Sequence, residues 1–297
     1  MESREASSET EDLPALFERY RPRLFALAYR MLGTRADAED ALQDAYMRWH
    51  QAGGRHIASV EAWLVTVVTR LCIDKLRAAR TEREVYVGPW LPEPIVESTS
   101  GTEAQAELAS SLSTAFLLLM ERLAAEERAA FLLHDVFETE YTEISRILTK
   151  SATACRQLVS RARKRLRDNR PRIDVNPDAV RALLDRFVRA VHAQDRDALL
   201  DLFAREAAWT SDGGGKARAA RKVIHGRESI VRFVLGVLAR RSDRFAFDPA
   251  IINGEPGLVL TRYGEGFAAM SVSTDGAQIV DVFIVLNPDK LRFADDS

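Results

Sequence analysis

Tyr141–Arg167 reads YTEISRILTKSATACRQLVSRARKRLR. Ile144, Ile147 and Leu148 repeat at helical spacing, then Cys155, Leu158 and Val159, then Ala162 and Leu166. Between the two series lies Thr149-Lys150-Ser151, and a serine there can cap a second helix by accepting from an amide one turn on. The pattern is helix, tight turn, helix. From Lys150 to Arg172 nine residues are basic and only Asp168 is acidic, although the 297-residue chain has a net charge of -2. Thr153, Arg156, Gln157, Ser160 and Lys164 share the face opposite Leu158 and Val159, as in a helix that enters a major groove. A solvated basic helix is the plainer reading of this fragment by itself.

The length allows two or three domains with cores, and the 46% apolar fraction is that of a globular protein. No apolar run reaches transmembrane length. The start, MESREASSETED, is polar and acidic, unlike a signal peptide, so a cytoplasmic protein is expected. Cys72 and Cys155 both sit in apolar helical series and read as core residues, not as a disulfide or metal pair.

Upstream, residues 13 to 80 read as three helices. Gly33 ends the first, and Thr34 can cap the second, RADAEDALQDAYMRWH. Ala38, Leu42, Ala45, Tyr46 and Trp49 form its inner side; Asp37, Glu39, Asp40, Gln43, Asp44 and Arg48 face outward. After the loop HQAGGRHIAS comes VEAWLVTVVTRLCIDKLRAAR, where Trp63, Val67, Leu71 and Leu76 can bury and Arg70, Lys75, Arg77 and Arg80 add charge. Residues 86 to 102, YVGPWLPEPIVESTSGT, exclude helix through Pro89, Pro92 and Pro94. Tyr86, Trp90, Leu91 and Ile95 make this linker too apolar for a bare spacer, so it is expected to dock. Helices resume near Leu108 and run to about Arg170. Beyond Pro177 come amphipathic helices over 178 to 203, and then strand-like GLVLTRYG, FAAMSVST and QIVDVFIVLN, with turns at Asn253-Gly254 and Asp275-Gly276. The helix GRESIVRFVLGVLARR lies before these strands.

Three motifs in this order resemble a bacterial sigma factor of the extracytoplasmic-function class: Asp37–Trp49 as region 2, Glu61–Arg77 as its promoter-melting helix, and Tyr141–Arg167 as region 4. YVGPWLPEP, with DGGGK (Asp212–Lys216) and NPDK (Asn287–Lys290), resembles the subgroup carrying a fused SnoaL-like domain of the NTF2-like cone fold. The resemblance implies a multidomain chain: all-α regions 2 and 4, the latter a helix-turn-helix, followed by an α+β cone. Its expected segments are a disordered 1–12, region 2 at 13–85, a Pro-rich linker at 86–108, region 4 at 109–170 and the cone at 171–297. Two positions depart from the family pattern: Thr149-Lys150 replaces the usual glycine and apolar residue of the region 4 turn, and Arg70 stands where many relatives have asparagine.

The resemblance implies a binding module that needs no cofactor and makes no bonds. Asp37, Glu39, Asp40, Gln43, Asp44 and Arg48 would meet core RNA polymerase, where complementary charge fixes register. Arg70, Lys75, Arg77 and Arg80 would neutralise phosphates at the -10 element. The HQAGGRHIAS loop is the expected place for a pocket holding an unpaired base. Ser151, Thr153, Arg156, Gln157, Ser160, Arg161, Arg163 and Lys164 would read or grip the -35 element. Arg156 suits guanine edges and Gln157 adenine edges.

For the cone, acid–base candidates are Asp212, Asp281 and His192, but no spacing pairs them. Gly213, Gly214 and Gly215 before Lys216 fail the phosphate-loop spacing, and Gly264, Gly266 and Ala269 sit inside an apparent strand, away from any strand-to-helix turn. The expectation is regulation in cis. Trp90, Leu91, Pro92, Glu93 and Pro94 strap the cone, through Asp212 to Lys216, onto the sigma regions, and Lys216, Arg218, Arg221 and Lys222 meet acids of region 2 or the linker. Such a fused domain makes a separate anti-sigma protein unnecessary, and a small-molecule ligand in the cone is a possible signal. The other readings are a cone-fold isomerase or cyclase with a DNA-binding front half, and a two-domain repressor. The repressor leaves the helices of Asp37–Trp49 and Glu61–Arg77 without a role.

Overall fold

A computed structural model describes residues 13–53, 57, 59–83, 86–97, 113–167, 176–240 and 245–291. The expected disordered start, the helix onset near Leu108, most of the HQAGGRHIAS loop's tip, and Arg170 and Arg172 lie outside them.

Helices α1 (Leu13–Leu32), α2 (Arg35–Ala52) and α3 (Val60–Arg83) form the front. Phe17, Leu24, Leu27, Ala28 and Met31 give α1 a buried stripe at spacings of three and four. Gly33 closes α1 at φ 79, where a side chain would be strained, and its amide returns to the Tyr29 carbonyl at 2.8 Å. Thr34 then caps α2 by accepting from the Asp37 amide at 3.2 Å. Helices α4 (Thr114–Met120), α5 (Ala125–Phe131), α6 (Tyr141–Leu148) and α7 (Ala152–Arg167) follow, and α5 runs into a wider π turn over Leu132–Val136. Ser151 Oγ accepts from the Ala154 amide at 3.1 Å, the N-cap expected for α7. Both cysteines are free and buried. One continuous core joins Leu27, Met31, Leu64 and Cys72 of the first three helices to Leu133, Ile144, Cys155 and Val159 of the later ones.

The rest is α+β. Helices α8 (Pro177–Ala193), α9 (Arg196–Leu202) and α10 (Arg227–Arg240) accompany strands β1 (Phe203–Asp212), β2 (Ile224–His225), β3 (Ala246–Ile252), β4 (Glu255–Arg262), β5 (Glu265–Thr274) and β6 (Ile279–Val285). The sheet order is β2-β1-β6-β5-β4-β3; β1 and β6 are parallel and every other pair is antiparallel. Asn253-Gly254 turns β3 into β4 with both residues at positive φ, 52 and 77. Gly264 lies in the β4–β5 turn, outside any strand; Gly266 and Ala269 are in β5. Strands β1, β2 and β3 were not legible from the sequence pattern.

The period of two along a strand divides the sheet's work. Val282 and Ile284 of β6 and Met270 and Val272 of β5 face the domain's own helices. Phe283 and Val285 of β6 face the other way, onto Leu91 of the linker and Ala115 and Leu118 of α4. The sheet therefore packs on both faces, inward on its own helices and outward on the helical front.

Candidate functional site

The outward side of α2 is open. Asp40, Gln43, Asp44 and Arg48 are exposed, while Asp37 and Glu39 are half-buried. Glu39 pairs with Arg35 at 2.8 Å and Asp40 with Lys75 at 3.4 Å. Met47 belongs to this side and is 53% exposed, the kind of apolar anchor a polar-rimmed contact face uses. Sequence reading passed over it, although it sits four residues after Gln43.

Ser151, Thr153, Arg156, Gln157, Ser160, Arg161, Arg163 and Lys164 are all exposed on α7. Their roles divide. The Arg156 guanidinium lies 5.2 Å from the Tyr141 ring centroid. Arg163 donates to both Asp135 oxygens, at 2.8 and 2.7 Å, and Arg161 to Glu127 at 3.1 Å. These two arginines fasten α7 to its own module as well as presenting charge outward.

On α3, Arg70 reaches into the later helices. Its Nε donates to the Ile147 carbonyl at 3.0 Å, and its Nη2 to the Arg146 carbonyl at 3.1 Å and to Thr149 Oγ1 at 3.3 Å. Those carbonyls end α6, where the last C=O groups lack helical partners and favour a cation. Thr149 holds φ 55, a left-handed conformation that disfavours a β-branched residue. The two positions that depart from the family pattern therefore touch each other. Arg77 pairs with Glu126 at 2.9 Å. From the other side, the buried Arg128 donates to the Met31 carbonyl and to Glu121. Burial pulls the Arg128 guanidinium down to about 10, so it stays charged at neutral pH. The side chain of Arg80 lies outside the described residues.

The linker docks as its apolar content requires. Leu91 is fully buried, and burial of such a side chain is worth about 1.5–3 kcal/mol. Beside it, Asp212 is also fully buried and has four donors. Its Oδ1 accepts from the Tyr86 hydroxyl at 2.6 Å and the Gly214 amide at 3.0 Å. Its Oδ2 accepts from the Leu91 amide at 2.9 Å and Lys290 Nζ at 2.8 Å. Lys290 also donates to the Leu91 carbonyl at 2.7 Å and lies 4.3 Å from the Trp90 ring centroid. Asn287 donates to the Tyr86 hydroxyl at 3.0 Å. Burial, then the bond to Asp212 and its charge, push the Tyr86 phenol well above its ordinary value. A buried pair of charges needs this degree of satisfaction to be tolerated.

Three glycines make room for the cluster. A Cβ on Gly214, at φ 57, would sit 2.3 Å from Asn287 Nδ2, and one on Gly213 would sit 2.5 Å from the Ala217 carbonyl oxygen. On Gly215 it would meet Val87 of the linker at 3.2 Å. Lys216 pairs with Asp289 of its own domain, not with an acid of the front or the linker.

A second junction lies along the same linker. The Glu93 amide donates to the Gly33 carbonyl at 2.9 Å, and its carboxylate accepts from the Arg35 amide at 2.8 Å. The Tyr29 hydroxyl donates to the Glu93 carbonyl and lies 3.3 Å from Asn253 Oδ1. Asn253 in turn accepts from the Ile95 amide at 2.8 Å and donates to Thr114 Oγ1 at 3.1 Å, which also accepts from Ser271 at 2.9 Å. Front helices, linker, α4 and the sheet thus meet at one buried amide. Tyr29, Tyr86, Thr114, Asn253, Asn287 and Lys290 were absent from the sequence-based site. The NPDK motif pointed toward Asn287 and Lys290, the docking linker contained Tyr86, and Asn253 was read only as a turn residue.

The acid–base candidates are not brought together. Asp212 faces the linker with its oxygens engaged, Asp281 accepts from Ser273 at 2.6 Å on β6, and His192 is exposed on α8. Among the described residues no group of three His, Cys, Asp or Glu could hold a metal, and no helix is long and apolar enough to cross a membrane.

Comparison with known proteins agrees with this division. The family model for sigma-70 region 2 matches residues 16–82, and that for sigma-70 region 4 matches residues 113–166. The ECF RNA polymerase sigma factor SigJ of Mycobacterium tuberculosis is 36% identical over 286 residues, covering 92% of this chain and 91% of the relative. The probable ECF sigma factor SigI of the same species is 28% identical over 290 residues, covering 96% of each. The crystal structure of SigJ superposes with a TM-score of 0.74 at 34% identity, over 93% of this chain and 97% of that one.

Proposed function

Because this chain belongs to the extracytoplasmic-function family of RNA polymerase sigma factors, we propose that it binds core polymerase through α2 and reads promoter DNA through α3 and α7, and that its α+β domain regulates both steps in cis. It is a transcription initiation factor, not an enzyme. Polymerase would meet Asp40, Gln43, Asp44, Met47 and Arg48, which are exposed while the chain is closed. In region 4, Arg156 and Gln157 are the base-reading pair and Lys164 a phosphate anchor. In region 2, Lys75 and Arg77 are the phosphate contacts, and Arg70 joins them only after it leaves α6.

The observation that carries the regulatory part is the Asp212 cluster. It ties the linker between regions 2 and 4 to the C-terminal sheet by two hydrogen bonds to one buried carboxylate, which Gly214 and Lys290 of the same domain also satisfy. Regions 2 and 4 share one core in this arrangement. A promoter presents its two elements well apart along the helix, so reading both requires that the regions separate. A regulator held on the same chain acts at high effective concentration, which removes the need for a separate anti-sigma protein.

The test is to mix the intact chain and a chain lacking residues 175 to 297 with core polymerase, then measure co-elution and open-complex formation. Co-elution of the intact chain and a several-fold change in open complexes on truncation are expected. Absence of co-elution removes the sigma assignment; equal open-complex formation removes the regulatory one.

A further inference from the structure

The α+β domain holds a partly open cavity of about 100 Å³ between its sheet and α8 and α10. That size accepts a single ring better than a fused-ring body. Its wall is aromatic: Phe187, Trp209, Phe233, Phe245, Phe247 and Phe267. Among the described residues the only charged one on the lining is Arg218, which is exposed and pairs with none of their carboxylates. A polar lining group, Ser211, already accepts from Trp209 Nε1 at 2.9 Å.

We propose that this cavity binds a single-ring aromatic carboxylate, ring among the phenylalanines and carboxylate on Arg218, and that the bound acid alters the hold on the linker. The second half rests on the cis-regulatory reading above; the first does not. Aromatic walls favour a planar ring through edge and face contacts. A guanidinium favours a carboxylate, which it can engage in a bidentate fork.

The coupling follows from strand alternation. Ser211 lines the cavity and its neighbour Asp212 holds the linker. Leu286 lines the cavity and its neighbour Asn287 holds Tyr86. The two segments are joined, since the Leu286 amide donates to the Asp212 carbonyl at 2.7 Å. Arg218 lies on the loop that begins with Gly213, folded so closely that a Cβ there would strike the Ala217 carbonyl oxygen at 2.5 Å. Cavity and linker cluster are two sides of one wall, so a ligand that draws Arg218 inward acts on a wall one residue thick.

The experiment is calorimetric titration of the full chain, without polymerase, using benzoate, phenylacetate and their neutral amides. The acids are expected to bind at least about tenfold tighter than the amides, the worth of one charge-assisted contact. Arg218→Gln should erase that difference while leaving amide binding unchanged, and Met270→Trp should abolish binding of both by filling the cavity. Hydrogen exchange of residues 86–97 should change on saturation with acid. No saturable binding at millimolar acid, equal affinity for acid and amide, or an unchanged acid preference in Arg218→Gln overturns the site. Binding without any change in exchange overturns the coupling. Either failure leaves the polymerase and truncation results untouched.

Discussion

Two of the polar contacts across the closed chain differ in kind. Where the linker meets the sheet, a carboxylate with no exposed surface is satisfied by four donors, among them a buried lysine. Where region 2 meets region 4, the exposed Arg70 grips the open end of α6 and a hydroxyl held in a left-handed turn. The first cannot be undone piecemeal, because withdrawing the linker takes the Tyr86 hydroxyl and the Leu91 amide together from a buried carboxylate. The second can, because water replaces each exposed bond at little cost. On the proposed reading the linker cluster anchors and the Arg70 contact releases.

Asp212→Ala attacks the stronger contact and should have the largest effect. Loss of the partner to a buried lysine is expected to cost about 3–5 kcal/mol, read as a lowered denaturant midpoint together with rapid proteolysis of residues 86–97. A midpoint close to that of the unmodified chain would place the anchor elsewhere. Gly214→Ala tests the same cluster without touching a charge. A side chain at φ 57 against Asn287 should cost about 1–3 kcal/mol, and a neutral result would mean the loop is free to move.

Arg70→Ala should cost global stability only about 1 kcal/mol or less, yet raise the rate at which regions 2 and 4 separate. Stability loss equal to that of Asp212→Ala would erase the contrast. Lys164→Ala is the smallest test. It should weaken all promoters alike and lower the salt slope of DNA binding by about one, while Arg156→Ala shifts sequence preference. Equal losses on every promoter variant for both would merge the two roles.

The contrast also explains what could be read in advance. The helices of both regions, the caps at Thr34 and Ser151 and the turn at Asn253-Gly254 are local features, set by spacing and turn chemistry. They stand where expected. β1 was missed because FAREAAWTSD follows α9 with alanine, arginine and glutamate in helical proportions. Its strand form comes from pairing with β6, more than 70 residues on in the chain. Asp212 and the segment from Trp90 to Pro94 were singled out, but the bonds joining them, and the roles of Tyr86 and Lys290, depend on groups 78 to 126 residues apart. Arg70 and Thr149 were each marked as unusual. Nothing in the sequence said that the two unusual residues meet, or that Arg70, expected on phosphate, donates to the carbonyls that end a neighbouring helix in the closed chain.

The central claim is that the C-terminal domain, through its hold on the linker, governs the separation of regions 2 and 4. It is tested most directly by a spin-label distance between cysteines introduced at Arg19 and Thr142, both exposed, while the native Cys72 and Cys155 remain buried and unlabelled. The intact chain should give one narrow, short distribution, and Asp212→Asn a broader one extending to longer distances. Identical distributions in the two proteins would contradict the account.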